Sequence, residues 1–389
     1  MGEEKKEEKS GETVSRRKYL GAVGGLAVAA AIGWGLAGYL ASKPPAAVKT
    51  ITKTETITAT ATPTVPAYTL DKGPLSIYTA LEEDEAAYYL KEGFYKDVPY
   101  FSEKNVTWLR QSTGEIVARI IAEKDNPQAD VLWGTSADQF AQLVDMGLIE
   151  PYVSSEAKYY DDKFKDPNGY WVAATMWVDN ISINTKVFEE QKLGDPPQTW
   201  EDLLDPKWKG KILAPNPNTS GTGFSWYVGM VSLLGEEGAI NYCKKLDENV
   251  IEWTKSGGAT CRRLGTGENA VSITGTYISW VYIKEGYPIK NIFPPEGCPW
   301  AAEATGLIKG AKNPNMAKAF IDWALGKHAN ELYREFRKED CSTRKDLAPL
   351  PGLPRDIDQP LVEIDFYWAG KNKARLLEAL NKAIPRLAG

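Results

Sequence analysis

VTWLRQSTGEIVARIIAEKDNPQADVLWGTSADQFAQLVDM, residues 106–146, is where the fold class can be read. Val106 to Leu109 and Asp130 to Trp133 are short β-branched and aromatic runs, the composition of strands. Between and after them, the segments Gly114 to Glu123 and Ala137 to Met146 carry apolar residues at helical spacing. Ile116, Val117, Ile120 and Ile121 make one face, and Phe140, Leu143, Val144 and Leu148 the other. Strands alternating with helix-length amphipathic segments predict an α/β fold.

The same alternation extends outward from this stretch. Leu75 to Tyr78, Lys211 to Ala214, Val250 to Trp253, Ala270 to Thr274 and Ala304 to Ile308 read as further strands, and no internal repeat is visible. Roughly 320 residues of this pattern exceed what one core usually supports, so two lobes are expected. Trp171 to Val187, rich in strand formers, and Phe293 to Glu303 are the candidate crossings. They divide the domain of residues 70–389 into lobe 1, about 70–176 and 303–389, and lobe 2, about 177–302. Two crossings leave a cleft, where small ligands bind.

Residues 1–18 are almost all polar, and residues 19–42 are uncharged and long enough to span a bilayer. Arg16, Arg17 and Lys18 precede that run and place the N-terminus in the cytoplasm and the remainder outside. An uncleaved transmembrane anchor and a twin-arginine signal, released by cleavage, both give this topology; Tyr19 stands where the signal usually has Phe. Residues 43–69, with Thr at alternate positions and Pro63 and Pro66 at the end, read as an extended stalk.

A net charge of −6 and the absence of a basic stripe exclude nucleic acid as a partner; Lys371 to Arg375 reads as the solvated face of a helix. The four cysteines, Cys243, Cys261, Cys298 and Cys341, lack metal-ligand spacing. In an oxidising compartment two disulfides are expected, Cys243 with Cys261 and Cys298 with Cys341, against the reading that all four are buried thiols.

Pro217-Asn218-Thr219-Ser220-Gly221-Thr222-Gly223 precedes a helical segment, Phe224 to Leu234. A helix start offers unpaired N–H groups and a partial positive charge, hydroxyls add donors, and Gly lets an anion approach the backbone. Thr219, Ser220, Gly221 and Thr222 are therefore an expected anion seat. No Lys follows the last Gly, so the turn is not a nucleotide P-loop. There is no Gly-x-Ser-x-Gly elbow and no His for a triad, which argues against an enzyme; a surface-anchored hydrolase using two carboxylates is the rival class.

Several ordered pieces resemble the ferric-ion-binding branch of the solute-binding proteins of ABC importers. They are residues 75–84, Pro127-Gln128-Ala129-Asp130-Val131, Thr199-Trp200-Glu201-Asp202-Leu203-Leu204-Asp205-Pro206-Lys207-Trp208-Lys209-Gly210, the turn 217–222, Thr254-Lys255-Ser256-Gly257-Gly258, Gly286-Tyr287-Pro288-Ile289, residues 309–314 and 320–325, and Asp365-Phe366-Tyr367-Trp368-Ala369. The resemblance implies a two-lobed, hinge-closing periplasmic-binding-protein type II fold, a monomer that delivers a small solute to membrane permease subunits, and no cofactor. Relatives handle ferric ion, thiamine, phosphonates or sugar phosphates. In the iron binders the turn matching Thr219 to Thr222 holds the anion that accompanies the metal. By position in the family's cleft, Trp177, Tyr277, Thr79, Glu82 and Thr135 join the candidate ligand contacts, and Tyr78, Trp133 and Trp280 are candidate aromatic walls. Glu82, Glu83 and Glu303 are candidates to receive an amino group. The iron pattern itself is broken, because Gly275-Thr276-Tyr277 supplies one Tyr where the family has two, Gly134 to Thr135 replaces a carboxylate, and the sole His, His328, lies on a polar C-terminal helix. A non-standard site would use Tyr277 and Glu82. An organic anion bearing phosphate, phosphonate or carboxylate is the expected ligand. Sequons occur at Asn105, Asn180 and Asn218, and the third is expected to be unmodified because it borders the anion seat.

Overall fold

The computed structural model describes residues 73–352 and 354–388; the expected spanning segment and stalk lie outside them. Among the described residues no helix is long and apolar enough to cross a membrane.

In chain order the elements are β1 (Leu75–Thr79), α1 (Glu83–Tyr89), β2 (Val106–Arg110), α2 (Thr113–Ala122), β3 (Val131–Ser136), α3 (Ala137–Asp145) and β4 (Ile149–Glu150). Then come β5 (Val172–Asn184), α4 (Thr185–Glu190), β6 (Ile212–Pro215), α5 (Gly221–Asp247), β7 (Val250–Thr254), α6 (Gly257–Thr266), β8 (Val271–Gly275), α7 (Thr276–Lys284) and β9 (Ile289–Ile292). The last are β10 (Trp300–Ile308), α8 (Pro314–Leu325), α9 (Lys327–Arg337) and α10 (Phe366–Ala383). The sheet order is β2-β1-β3-β10-β5-β8-β6-β7, with β4 beside β10 and β9 beside β5. β1 runs parallel to β2 and β3, and β6 parallel to β7 and β8, as in α/β halves, whereas β10 and β5 are antiparallel insertions. Every residue of β3, β5, β6, β8 and β10 is buried, which matches strands covered on both faces.

β5 exchanges partners along its length. Val172 to Val178 pair with β10, and Asp179 to Ile183 pair with β8. One strand therefore belongs to two half-sheets, each with its own apolar core. Leu75, Tyr89, Trp133 and Phe320 lie in one core, and Trp208, Trp226, Leu246 and Val271 in the other.

Four expectations change at this level. The segment after residue 303 does not stay with the first half, because Leu376, Leu380, Ile384 and Leu387 pack into the second half's core. The segment 371–375 is not a purely solvated face. Lys373 is buried where α10 lies against α3, its Nζ 2.5 Å from Gln139 Oε1, and burial pulls its pKa down to about 8 against the neighbouring charge of Asp138. The helix expected at Phe224 to Leu234 is the first part of α5, which breaks at Gly235, a residue at φ 73° that only Gly takes without strain. Finally, all four cysteines are free and buried. Cys243, Cys261, Cys298 and Cys341 each sit in a different apolar cluster, so the expected pairs are separated by packed core.

Candidate anion site between the half-sheets

The N-terminal ends of four helices meet at one cavity of about 430 Å³, solvent mouth included. From the first half come Ser112 and Thr113 of α2. From the second half come Ser220, Gly221 and Thr222 of α5, Ser256 and Gly257 of α6, and Tyr277 of α7. Local sequence explains each end. Ser220 Oγ accepts from Gly223 N at 3.2 Å, Ser256 Oγ accepts from Ala259 N at 3.1 Å, and Ser112 forms a capping box with Glu115. The caps satisfy the third N–H of α2, α5 and α6, while α7 starts at Gly275 without a side-chain cap. The N–H groups of Gly221, Thr222, Gly257 and Gly258 have no acceptor within their own helices and carry the positive end of the helix dipole.

Glycine makes the approach of α6 possible. A Cβ on Gly257 would strike Thr222 Oγ1 and come within 2.8 Å of the Tyr277 hydroxyl, and one on Gly258 would strike the Glu82 carboxylate.

Charge in the cavity is divided. Arg110 supplies a guanidinium, fixed by its Nε donating to Leu81 O at 3.1 Å and by Nη2 lying 3.1 Å from Glu82 Oε2. Opposing it are Glu82, Glu85 and Glu303. Burial raises the pKa of Glu82, with Arg110 opposing the rise, and burial raises that of Glu85. Behind the acids lies the buried Arg337, whose Nε donates to Glu85 Oε1 at 2.7 Å and whose Nη2 donates to Glu303 Oε1 at 2.9 Å. Donors and carboxylates thus share the cavity, and Glu82 sits among the donors, against Arg110 and the start of α6.

Trp177 and Tyr277 close the side, their rings 5.8 Å apart edge to face. Trp177 is held by its Nε1 donating to Asp179 Oδ1 at 2.9 Å, and Ser225 Oγ donates to the other oxygen of Asp179 at 2.5 Å. Burial raises the Tyr277 pKa well above the usual phenol value, and its hydroxyl lies 3.4 Å from Thr222 Oγ1.

Of the residues expected from sequence, Ser220, Gly221, Thr222, Trp177, Tyr277, Glu82 and Glu303 line this cavity. Thr219 does not line it; its Oγ1 donates to Lys255 O at 2.9 Å. Thr79 and Thr135 do not line it. Thr79 is buried and accepts from Leu81 N at 3.2 Å, shaping the loop below Glu82. Thr135 is buried in β3, and Gly134 holds the cavity position at φ 66°, with Leu81 packed where its Cβ would be. Tyr78 and Trp133 face cores instead: Tyr78 donates to Glu123 at 2.9 Å, and Trp133 packs on Phe320. Trp280 packs beside Phe293, and Glu83 is exposed.

Arg110, Ser112, Thr113, Ser256, Gly257 and Glu85 were missed. The signals were present, since Ser112-Thr113-Gly114-Glu115 is a capping box before an apolar run and Ser256-Gly257-Gly258 repeats the logic of Ser220-Gly221. Nothing local assigns Arg110 or Glu85 to the same cavity.

The expected departure from an iron site has a structural counterpart. Thr276, in place of a second Tyr, is buried, with its Oγ1 donating to Asp356 Oδ2 at 2.8 Å and accepting from Val178 N at 3.0 Å. His328 is half exposed at the surface, 2.7 Å from Asp97. Among the described residues no group of three or more His, Cys, Asp or Glu side chains is arranged to hold a metal. Of the sequons, Asn180 is fully buried, and Asn218 Nδ2 already donates to Asn216, Asn381 and Leu387.

Residues 126–347 match the model of the family described as bacterial extracellular solute-binding protein. An uncharacterized protein of Haemophilus influenzae is 33% identical over 292 residues, covering 72% of this chain and 83% of that one. The Fe(3+)-binding periplasmic protein of Serratia marcescens is 23% identical over 327 residues, covering 80% and 90%. Among solved structures, the periplasmic binding protein AfuA from Actinobacillus pleuropneumoniae with exogenous fructose-6-phosphate bound is similar at a TM-score of 0.76 and 29% identity, over 81% of this chain and 99% of that one.

Proposed function

Because this chain belongs to the bacterial extracellular solute-binding proteins, we propose that its cavity captures a small organic anion bearing a phosphate or phosphonate group and hydroxyl or amino groups. The observation that carries this reading is the meeting of four helix N-termini at a cavity that also holds Arg110 and three carboxylates. The anionic head lies among the N–H groups of Gly221, Thr222 and Gly257 and the hydroxyls of Thr113 and Ser220, where backbone dipoles favour negative charge. The remainder of the ligand turns its donors to Glu82, Glu85 and Glu303, with Trp177 and Tyr277 against its apolar face. The fructose-6-phosphate carried by AfuA has this division of chemistry. Two lobes closing about the strands β5 and β10, delivery to ABC permease subunits, a monomeric chain, and a membrane tether or cleaved signal ahead of residue 43 complete the proposal. Ferric ion as cargo fits less well, since Tyr277 has no second tyrosine beside it.

Thermal melts of the purified full-length chain test the reading. Fructose-6-phosphate should raise the melting temperature in a concentration-dependent way, because a ligand bound only by the folded state stabilises it. Fructose and ferric citrate should not, and Thr222→Val should abolish the shift while leaving the unliganded melt close to wild type. Flat melts across fructose-6-phosphate, inorganic phosphate and 2-aminoethylphosphonate would defeat it.

A further inference from the structure

Glu115 does two jobs with its two oxygens. Oε2 accepts from Ser112 N at 3.2 Å and from Ser112 Oγ at 2.7 Å, which fixes the start of α2, one of the four helix ends at the cavity. Oε1 lies 2.7 Å from Lys255 Nζ, and Lys255 belongs to the opposite half-sheet, between β7 and α6. Beside this pair the two halves touch through backbone, with Gly114 N donating to Thr219 O at 3.3 Å. The contact requires glycine on one side, because a Cβ at residue 114 would lie 2.8 Å from Asn218 O and 3.2 Å from Thr219 Cα, backbone atoms that cannot swing away. Lys255 and Thr219 are themselves joined, through Thr219 Oγ1 and Lys255 O. The rim of the cavity is therefore a two-point contact, one ionic and one backbone to backbone.

We infer that Glu115 is a positioning residue that couples closure of the cavity mouth to the geometry of the anion site, with Lys255 and Gly114 as its partners in the latch. The inference rests on the anion reading above for its ligand, but not for its geometry. When the mouth opens, Lys255 leaves Oε1 and Thr219 leaves Gly114, while Oε2 keeps α2 capped; when it closes, the same carboxylate is pinned from both sides and Ser112 is held at the cavity. The side chains of Glu115 and Lys255 are 36% and 65% exposed, so the ionic point is weak and screened by salt, which suits a contact that must release.

The coupling predicts an effect opposite in sign to simple electrostatics. Removing a carboxylate beside an anion site should by itself tighten anion binding; loss of the latch should weaken it. Glu115→Gln separates the two roles, since Gln still completes a capping box but cannot pair with Lys255 as an ion. With fructose-6-phosphate as probe and calorimetry as readout, Glu115→Gln and Lys255→Gln should each weaken binding about two- to fivefold at low salt. The double variant should be no worse than either single one, and the difference from wild type should vanish at about 1 M salt, where screening is nearly complete. Gly114→Ala should weaken binding about tenfold. Unchanged or tighter binding by Glu115→Gln overturns the inference. A ligand-free arm keeps it testable if no phosphate compound binds. Spin labels on cysteines placed at the exposed Lys104 and Lys284, one in each half, should report a longer distance in Glu115→Gln/Lys255→Gln than in the otherwise wild-type chain. Equal distances in that arm overturn it, whereas absence of phosphate binding alone overturns only the anion reading.

Discussion

Arg337 grips Glu303 with both terminal nitrogens: Nη2 donates to Oε1 at 2.9 Å and Nη1 lies 2.6 Å from Oε2, with both side chains nearly sealed from water. The guanidinium also holds Glu85 and sits 5.8 Å from the Tyr277 ring centre. One cation from α9 thereby fixes cavity walls contributed by α1, β10 and α7.

Arg337→Met should be among the most damaging single substitutions in the chain. It leaves Glu85 and Glu303 buried without their partner, at a cost of about 3–5 kcal/mol. Urea unfolding monitored by tryptophan fluorescence would measure it. Adding Glu85→Gln and Glu303→Gln to Arg337→Met should recover much of the loss, because the uncompensated charges are then gone.

Stability should fall as the medium becomes less acidic across the mildly acidic range, the reverse of ordinary acid denaturation. Burial raises the Asp356 carboxyl to about 7, and burial with the charge of Asp356 raises the carboxyl of Glu339, which is completely buried. Arg337, Glu303, Thr276 and Cys341 surround the pair. Both carboxyls keep their protons in the folded chain where the unfolded chain has released them, so stabilisation present below about pH 4 is lost as the pH rises towards 7. Asp356→Asn should flatten this dependence and be more stable than wild type at about pH 8, by on the order of 2 kcal/mol. Urea melts between pH 5 and pH 8 would check both statements.

All four thiols should titrate as free. A thiol reagent should count four in guanidinium without reductant and none in the native chain, and reductant should leave the melting temperature unchanged. Two thiols or none in guanidinium would restore the paired reading.

Arg110→Met should weaken binding of fructose-6-phosphate by about tenfold or more, since among the described residues it removes the one cationic side chain lining the cavity and takes from Glu82 its ion-pair partner. Arg110→Lys should rescue only part, because an ammonium cannot both donate to Leu81 O and face Glu82 in the guanidinium's fixed fork. Titration calorimetry reads both.

The strands and the first anion-binding turn were legible in sequence because they are local. Periodicity finds β1 or α3, and small hydroxyl residues before a helix find Ser220. The acid wall was not legible, since Glu85, Glu303 and Arg337 meet only after three distant elements pack. Trp133 and Tyr78 were misplaced for another reason: strands covered on both faces bury every side chain, so alternation no longer says which face is the cavity. Lys373 was misjudged because a helix lying against two others has little free face left, and charge along its sequence does not reveal that.

The sheet order has a bearing on how the chain is made. β3 has its neighbour in β10, yet the whole of β5 to β9 is synthesised between them. A nascent chain must therefore carry β1 to β3 with one side uncovered until the later region has already folded, and the staple at Arg337 arrives later still. Such long-range closure is slow and leaves unpaired edges exposed to self-association, so the yield of active chain should depend on the pace at which residues 300–337 emerge more than on the local propensity of any single element.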